Sequence, residues 1–310
     1  MTDESNKVWV LADPRAGTAA QALGIAERLE VPFRTVPLAW AGLARLPLPW
    51  PTLAGLTAEA RAQFAPPWPE LVLSAGRRSG PVARWLRQRG ARTVHSMRPG
   101  LCPAGFDLLV IGQHDAPKPA PNILPILGAP HRMSPERLAA ARGEWAELAA
   151  LPSPRVALLL GGEVRGEGMN PAAAAELARQ AAGFGGSVLA TTSRRTGAAA
   201  HGAVATALQA VPHRLHGWGD AGPNPYPGFL AWAEAVVVTG DSVSMISEAL
   251  ATPASVFIAE TTKAPRHRAL WRSLYAAGQA RPLMTPALFP RTPLDEAARV
   301  AAEIHARGWA

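Results

Sequence analysis

The chain has 310 residues, 48% of them hydrophobic and 17% charged, which excludes a disordered polymer. Lys and Arg number 31 against 23 Asp and Glu, and the net charge of +8 favours anionic partners such as nucleotides or acidic headgroups. The arginines are scattered and no DNA- or RNA-binding motif appears, so nucleic acid is not an expected partner.

No apolar run approaches the ~20 residues that a membrane-spanning helix needs. The opening M-T-D-E-S-N-K is acidic and leads straight into a strand, unlike a signal peptide, so a cytoplasmic protein is expected. The single cysteine, Cys102, excludes an internal disulfide and stands in a Pro-rich loop with no motif around it.

In chain order, residues 7–12 (K-V-W-V-L-A) read as a strand ending at Asp13-Pro14-Arg15-Ala16-Gly17, and a helix follows with Ala20, Leu23 and Ala26 at helical spacing. A strand is expected over 31–38. Residues 39–69 then lose any period, holding Trp40, Trp50 and Trp68 among prolines and leucines. The pattern returns as a strand at 70–75 that meets Gly76-Arg77-Arg78-Ser79-Gly80. A helix at 81–88 opens on proline, and strands follow at 92–96 and 106–112. After Ser134, a good N-cap, one helix is expected over 135–150. Leu151-Pro152-Ser153-Pro154 reads as a rigid linker and sets the expected domain boundary, 1–151 against 152–310.

Beyond the linker the alternation restarts. A strand at 155–160 runs into Gly161 and Gly162, a helix spans 171–183, and a strand at 187–191 ends at Thr192, Ser193, Arg194 and Arg195. Another helix, a short strand near 213–217, a strand at 254–259 and helices near 264–277 and 293–307 complete the pattern. Such alternation predicts an α/β fold of parallel sheets covered on both faces, with ligands at the carboxyl ends of strands.

Between these lies V-V-V-T-G-D-S-V-S-M-I-S-E-A-L, residues 236–250. The valines read as a buried strand, while Val243, Ile246, Ala249 and Leu250 fall at helical spacing. Asp241, Ser242 and Ser244 are residue types that cap a helix start, and the same first-turn N–H groups and helix dipole would hold a phosphate. Glu248 stands where a carboxylate could reach ribose hydroxyls, although a plain capped crossover would read the same way. Gly161 and Gly162 with 163–166 suit either a phosphate cradle or a tight turn. They lack both the G-x-G-x-x-G spacing and the P-loop Lys-Ser/Thr. Thr191, Thr192, Ser193, Arg194 and Arg195, and in the first half Arg77 and Arg78, offer hydroxyls and guanidinium forks for phosphate oxygens, although solvated loops would read the same way.

His114 and Asp115 could be a base and its orienter, but neighbours in extended chain point to opposite faces. The eight histidines have no metal-ligand spacing and no G-x-S-x-G elbow is present. No metal and no cofactor are expected.

Several stretches carry a family resemblance. They are residues 13–24 with Arg15, Gly17 and Gln21; Gly76-Arg77-Arg78 ahead of Pro81-Val82-Ala83; Gln113-His114-Asp115; 128–134 with His131-Arg132; Asn224-Pro225-Tyr226; and 239–249 with Asp241-Ser242-Val243-Ser244-Met245 and Ser247-Glu248. On these residues the sequence resembles the bacterial branch of the mitochondrial-fission "elongated mitochondria" family, whose members look like GT-B-type glycosyltransferases. The sequence departs from the family at Pro14, where a glycine is usual, and at 95–100.

The resemblance implies two tandem Rossmann-like domains with parallel sheets, GT-B-like, facing a central cleft. It implies an acceptor side in the first domain with Arg15, Gly17, Gln21, Arg77, Arg78 and His131, and a base among His114, Asp115, Asp13 and His131. It further implies a nucleotide-sugar donor in the second domain on Gly161, Gly162, Thr192, Ser193, Arg194, Asp241, Ser242, Ser244 and Glu248, with metal-independent transfer. The alternatives are a non-catalytic scaffold that binds a membrane or protein partner, and a nucleotide-sugar hydrolase or epimerase.

Two further expectations concern placement. The last helix is a candidate to pack back on the first domain. Residues 39–69, with Arg45 and Arg61 nearby, either pack under a long loop or rest on the inner membrane beside a lipid-linked acceptor.

Overall fold

Val8, Trp9, Val10 and Leu11 are all buried, which a strand achieves only when both faces of its sheet are covered. The computed structural model describes residues 7–100, 105–162, 168–284 and 286–310. Cys102 and the 163–166 part of the glycine turn lie outside the described residues.

In the first unit, β1 (Val8–Ala12), β2 (Arg34–Pro37), β3 (Leu71–Ala75), β4 (Arg92–Ser96), β5 (Leu108–Gly112) and β6 (Ile123–Ile126) form an all-parallel sheet of order β2-β1-β3-β4-β5-β6. Helix α1 (Ala16–Arg28) packs on one face, the short α2 (Ala58–Ala62) and α3 (Gly80–Arg87) belong to the other, and α4 (Pro135–Glu144) follows β6 in the chain. Alternate side chains serve the two faces. Val8 and Val10 join Ile25, Leu29, Leu71 and Leu73, whereas Trp9 and Leu11 join Val72, Val82 and Leu86.

The second sheet, order β12-β11-β10-β7-β8-β9, is also parallel throughout. Its strands are β7 (Arg155–Leu160), β8 (Ser187–Thr192), β9 (His213–His216), β10 (Ala235–Thr239), β11 (Ser255–Ala259) and β12 (Arg281–Pro282). The connections are α5 (Pro171–Phe184), α6 (Ala198–Leu208), α7 (Tyr226–Trp232), α8 (Val243–Leu250) and α9 (Pro265–Ala276), and α10 (Glu296–Ala306) ends the chain. The two tandem Rossmann-like units of a GT-B-like chain are therefore present, each with its own parallel sheet.

The compact units are 1–132 with 295–310, and 133–294. In the first, Ala297, Val300, Ala301 and Ile304 of α10 join the core beside α1. The helix is tied there by Arg28 on Asp295 at 2.9 Å and by the Leu127 N–H on Glu296 at 2.8 Å. In the second, Trp145, Leu148 and Leu151 pack with Leu189, Phe229 and Trp232.

Four elements differ from the pattern reading. The helix expected over 135–150 ends at Glu144, because Trp145 leaves helical geometry (φ −110°, ψ 39°) and a 3-10 turn (Ala146–Ala150) follows. The Trp145 ring lies where a side chain on Gly228 would stand, 2.4 Å from an added Cβ, so α7 closes on it through a bare glycine. Strands β6 and β12 each contain a proline, Pro125 and Pro282, and both lie at sheet edges, where a missing N–H breaks no ladder. The strand expected over 31–38 shortens to Arg34–Pro37. Among the described residues no helix is long and apolar enough to cross a membrane.

Gly24 gives a test in which propensity and packing disagree in sign. Alanine gains about 1 kcal/mol over glycine in a helix. A Cβ there would lie 2.1 Å from the His131 carbonyl oxygen, a backbone atom that cannot swing away. Gly24→Ala is therefore expected to destabilise the fold by about 1–3 kcal/mol in a urea melt, and a stabilised variant would contradict this packing.

Candidate functional site

In the second sheet the strand order reverses between β7 and β10, and open α/β sheets bind ligands in the crevice at such a reversal. The two strand ends are sewn together there. The Gly161 N–H donates to Thr239 Oγ1 at 2.8 Å and the Gly162 N–H donates to Asp241 Oδ2 at 3.0 Å. A Cβ on Gly161 would meet Asp241 Oδ2 at 2.5 Å, so glycine is required for this approach. Arg195 donates to the Gly162 carbonyl at 2.6 Å and pairs with Asp241 at 3.4 Å. Thr196 Oγ1 donates to the Gly161 carbonyl at 2.6 Å.

Ser242 is the N-cap of α8, its Oγ accepting the Met245 N–H at 3.4 Å. Ser244 lies half-buried in the first turn. Asp241 does not cap the helix, because its carboxylate is turned to Gly162 and Arg195. At the far end, Arg291 donates to the carbonyls of Ala249 (3.1 Å), Leu250 (2.9 Å) and Ala254 (2.7 Å), and to that of Thr252. A guanidinium thus closes the negative end of α8 while its positive end stands at the crevice.

Glu248 faces Tyr226, whose hydroxyl donates to Oε2 at 2.6 Å. Asn224-Pro225-Tyr226 and 239–249, two stretches that carry the resemblance, therefore meet in one hydrogen bond. Burial pushes the Glu248 carboxyl up to about 7, with the Tyr226 hydroxyl and the Arg137 charge opposing the shift. Burial and the adjacent carboxylate hold the Tyr226 phenol well above its ordinary value. Thr192 Oγ1 meets His201 Nδ1 at 3.3 Å and accepts the Trp218 N–H at 3.4 Å, Ser193 Oγ accepts the Arg195 N–H at 3.2 Å, and Arg194 is exposed. Burial, aided by Arg266, lowers His267 at the start of α9, against the pull of Asp241.

In the first sheet the order reverses between β1 and β3. Asp13 ends β1 with both oxygens engaged, Oδ1 by the Arg15 N–H at 2.8 Å and Oδ2 by Trp40 Nε1 at 3.0 Å. Arg15 and Gly17 are exposed at the start of α1, while Gln21 is buried and accepts Ser96 Oγ at 2.8 Å. Gly76, at φ +82°, approaches Thr18 so closely that a Cβ would stand 2.9 Å from Cγ2. Arg77 is exposed and Arg78 half-buried just beyond it. Met97, at the end of β4, holds a left-handed φ of 74°, a conformation unusual for a long side chain.

His114 and Asp115 lie in a 3-10 turn (Gln113–Asp115) rather than in extended chain, so the expectation that they diverge does not hold. His114 Nε2 stands 3.9 Å from Asp115 Oδ2, with the imidazole folded over Gly112. His131 is buried behind α1. Ends of β1, β3, β4 and β5, all neighbours, thus bring Asp13, Arg77, Arg78, His114 and Asp115 to one sheet edge. Arg195 belongs to the strand-end cluster read from the sequence and Tyr226 to the Asn224-Pro225-Tyr226 stretch, whereas Arg291 joins the second-unit site without a signal in the sequence.

The profile of the family described as "Mitochondrial fission ELM1" matches residues 16–308. Mitochondrial fission protein ELM1 of Arabidopsis thaliana is 28% identical over 299 residues, spanning 82% of this chain and 68% of its own length. UDP-GlcNAc 2-epimerase from Methanocaldococcus jannaschii superposes over 98% of this chain and 99% of its own with a TM-score of 0.51 at 10% identity, a likeness of fold alone. MurG of Acinetobacter baumannii covers 98% of this chain and 92% of its own at a TM-score of 0.48 and 14% identity.

Glu248 supplies a pH test. Its carboxyl ionises near 7 in the folded protein against 4.5 for the ordinary group, so the native state keeps a proton that the unfolded chain releases. The stability tied to this proton is complete below about pH 4.5 and is lost as the pH rises to about 7. Up to about 3 kcal/mol is involved. Glu248→Gln should flatten this slope, gaining on the parent between about pH 5 and pH 8 in urea melts. Parallel pH profiles for the two proteins would show that Glu248 titrates normally.

Proposed function

The chain belongs to the mitochondrial fission ELM1 family, and from that premise we propose that it is a glycosyltransferase moving a sugar from a nucleoside diphosphate to an acceptor hydroxyl. The observation that carries this reading is the carboxyl edge of the second sheet. There, the α8 N-terminus and Arg195 meet at the strand-order reversal, and Glu248, held by Tyr226, lies further along the same helix. The first-turn N–H groups of Val243 and Ser244, with Arg194 and Arg195, would take the donor diphosphate. Glu248, its Oε2 held by Tyr226, would offer Oε1 to the ribose hydroxyls.

In the reaction, the bond from the sugar anomeric carbon to the diphosphate oxygen breaks while a new bond to the acceptor oxygen forms. The charge left on the diphosphate is met by preorganised amides and guanidinium groups. We assign the base that takes the acceptor proton to His114, with Asp115 beside it as positioning residue; the His114 side chain is 3% exposed, so transfer requires the 3-10 turn at Gln113–Asp115 to open to the acceptor. Asp13, whose two oxygens hold Arg15 and Trp40, serves to shape the acceptor loop.

One observation favours the scaffold reading. Asp241 and Glu248 already have partners within the fold. Turnover separates the two. Calorimetry with a panel of nucleoside diphosphates and nucleotide-sugars is expected to find a binder, and Glu248→Gln should weaken it by roughly 1–3 kcal/mol. His114→Asn should leave donor affinity unchanged and remove transfer or donor hydrolysis. Binding without turnover across acceptors would support the scaffold, free sugar or an epimer as product would support the hydrolase or epimerase, and the absence of any nucleotide binding would overturn the donor site itself.

A further inference from the structure

Residues 31–58 and 71–106 contain no aspartate or glutamate, and the second stretch alone carries seven arginines. The structure brings these two acid-free stretches together. The loop after β2 folds against the start of α3, with the Thr52 N–H on the Pro81 carbonyl at 3.1 Å. Arg77 donates to the Leu46 carbonyl at 3.4 Å and Arg84 to the Pro49 carbonyl at 2.5 Å. Arg45 and Arg77 are exposed and Arg78 and Arg84 half-buried around the loop.

The loop is not loosely hung. The Ala41 N–H donates to the Gly55 carbonyl at 2.9 Å, the Thr57 N–H donates to that of Ala39 at 3.0 Å, and Trp40 is anchored on Asp13. Yet from this fixed backbone Leu43, Leu46 and Trp50 stand 50%, 56% and 56% exposed. Leu53 and Leu56 of the same segment are buried in the core, so the sequence divides between packing inward and pointing out. Beside Leu46 a small open pocket is lined by Trp40, Leu48 and Val82, with Arg77 and Arg78 at its wall.

We propose that this face of the first unit is a docking surface for a bilayer rich in anionic lipid. Leu43, Leu46 and Trp50 enter the headgroup boundary, and Arg45, Arg77, Arg78 and Arg84 meet lipid phosphates. An indole suits that depth because its ring is apolar while its N–H can stay wet. Arginine stems lie along apolar surface while their heads reach charge. The absence of acids from the two stretches matters physically, since a carboxylate on them would repel the same headgroups; Asp13, at the base of Trp40, is buried with both oxygens engaged. The proposal does not depend on turnover at the second unit, and its test uses no nucleotide.

The test is co-sedimentation of the full chain with phosphatidylcholine vesicles, with and without phosphatidylglycerol, at low and high salt. Binding is expected to the anionic vesicles, to fall with salt, and to be absent from the neutral ones. Leu46→Ser/Trp50→Ser should weaken it roughly tenfold. Arg45→Gln/Arg78→Gln should weaken it about fivefold per charge removed. Each variant is compared with the parent by near-ultraviolet circular dichroism and melting, and if the apolar variant fails to fold, the arginine variant still decides. Equal binding to neutral and anionic vesicles, or no sedimentation of the parent at low salt, overturns the proposal. So does a parent dimer that the apolar variant converts to a monomer, since a second copy would then be the occupant.

Discussion

The close approach of the β7 and β10 ends is the constraint on which the second unit's site depends. Two parallel strands that separate at a strand-order reversal leave their terminal amides without ladder partners. Here Thr239 and Asp241 supply those partners to Gly161 and Gly162. The geometry admits no Cβ on Gly161, and Trp271 packs so tightly on Gly240 that a Cβ would lie 2.3 Å from its ring. Two glycines thus let side chains of the next strand and helix enter space that their own side chains would fill. One consequence is electrostatic. Asp241 sits near the positive end of α8 but turns its charge toward Arg195, leaving the first-turn amides for another anion.

Helix α8 is held from both ends by different chemistry. Ser242 takes one amide at its start, and Arg291, reaching from beyond β12, takes carbonyls at its finish. Desolvation brings the Arg291 guanidinium down to about 10, still far enough above neutrality to keep its charge. A buried cation surrounded by carbonyls is a costly arrangement unless each donor is used, and here the donors are spread over the C-terminal turn and the loop that follows. Both ends of the helix that carries Glu248 are therefore tied to the fold.

The first unit reuses the same architecture with another surface chemistry. Its β1–β3 reversal is lined by Asp13, Arg15, Arg77 and Arg78, and its neighbouring loop is apolar and free of acids. Elsewhere its arginines are bound by aromatic rings. Arg89 lies 3.2 Å over the Trp85 ring, and Arg34 lies 4.8 Å over that of Trp9. The net charge of the chain thus does not act uniformly: part of it is stacked, part paired, and part left exposed.

The sequence by itself determined the alternation of strands and helices, the strand-turn-helix at 236–250 with its cap among Asp241, Ser242 and Ser244, and the fold of two parallel-sheet units. Those features are written in periodicity and capping, which act over a few residues. It could not determine that Trp145 would break a helix to lie over Gly228, nor that Ile123–Ile126 would pair despite Pro125, since both depend on neighbours distant in the chain. The same limit applied to the site. That His114 and Asp115 would approach each other required a 3-10 turn, that Asp13 would spend both oxygens on Arg15 and Trp40 required a loop with no period, and that Glu248 would face Tyr226 required two stretches over twenty residues apart to fold together. Residue type and spacing fix what a side chain can do, whereas which oxygen is left free to do it is decided by packing between segments that local sequence cannot see.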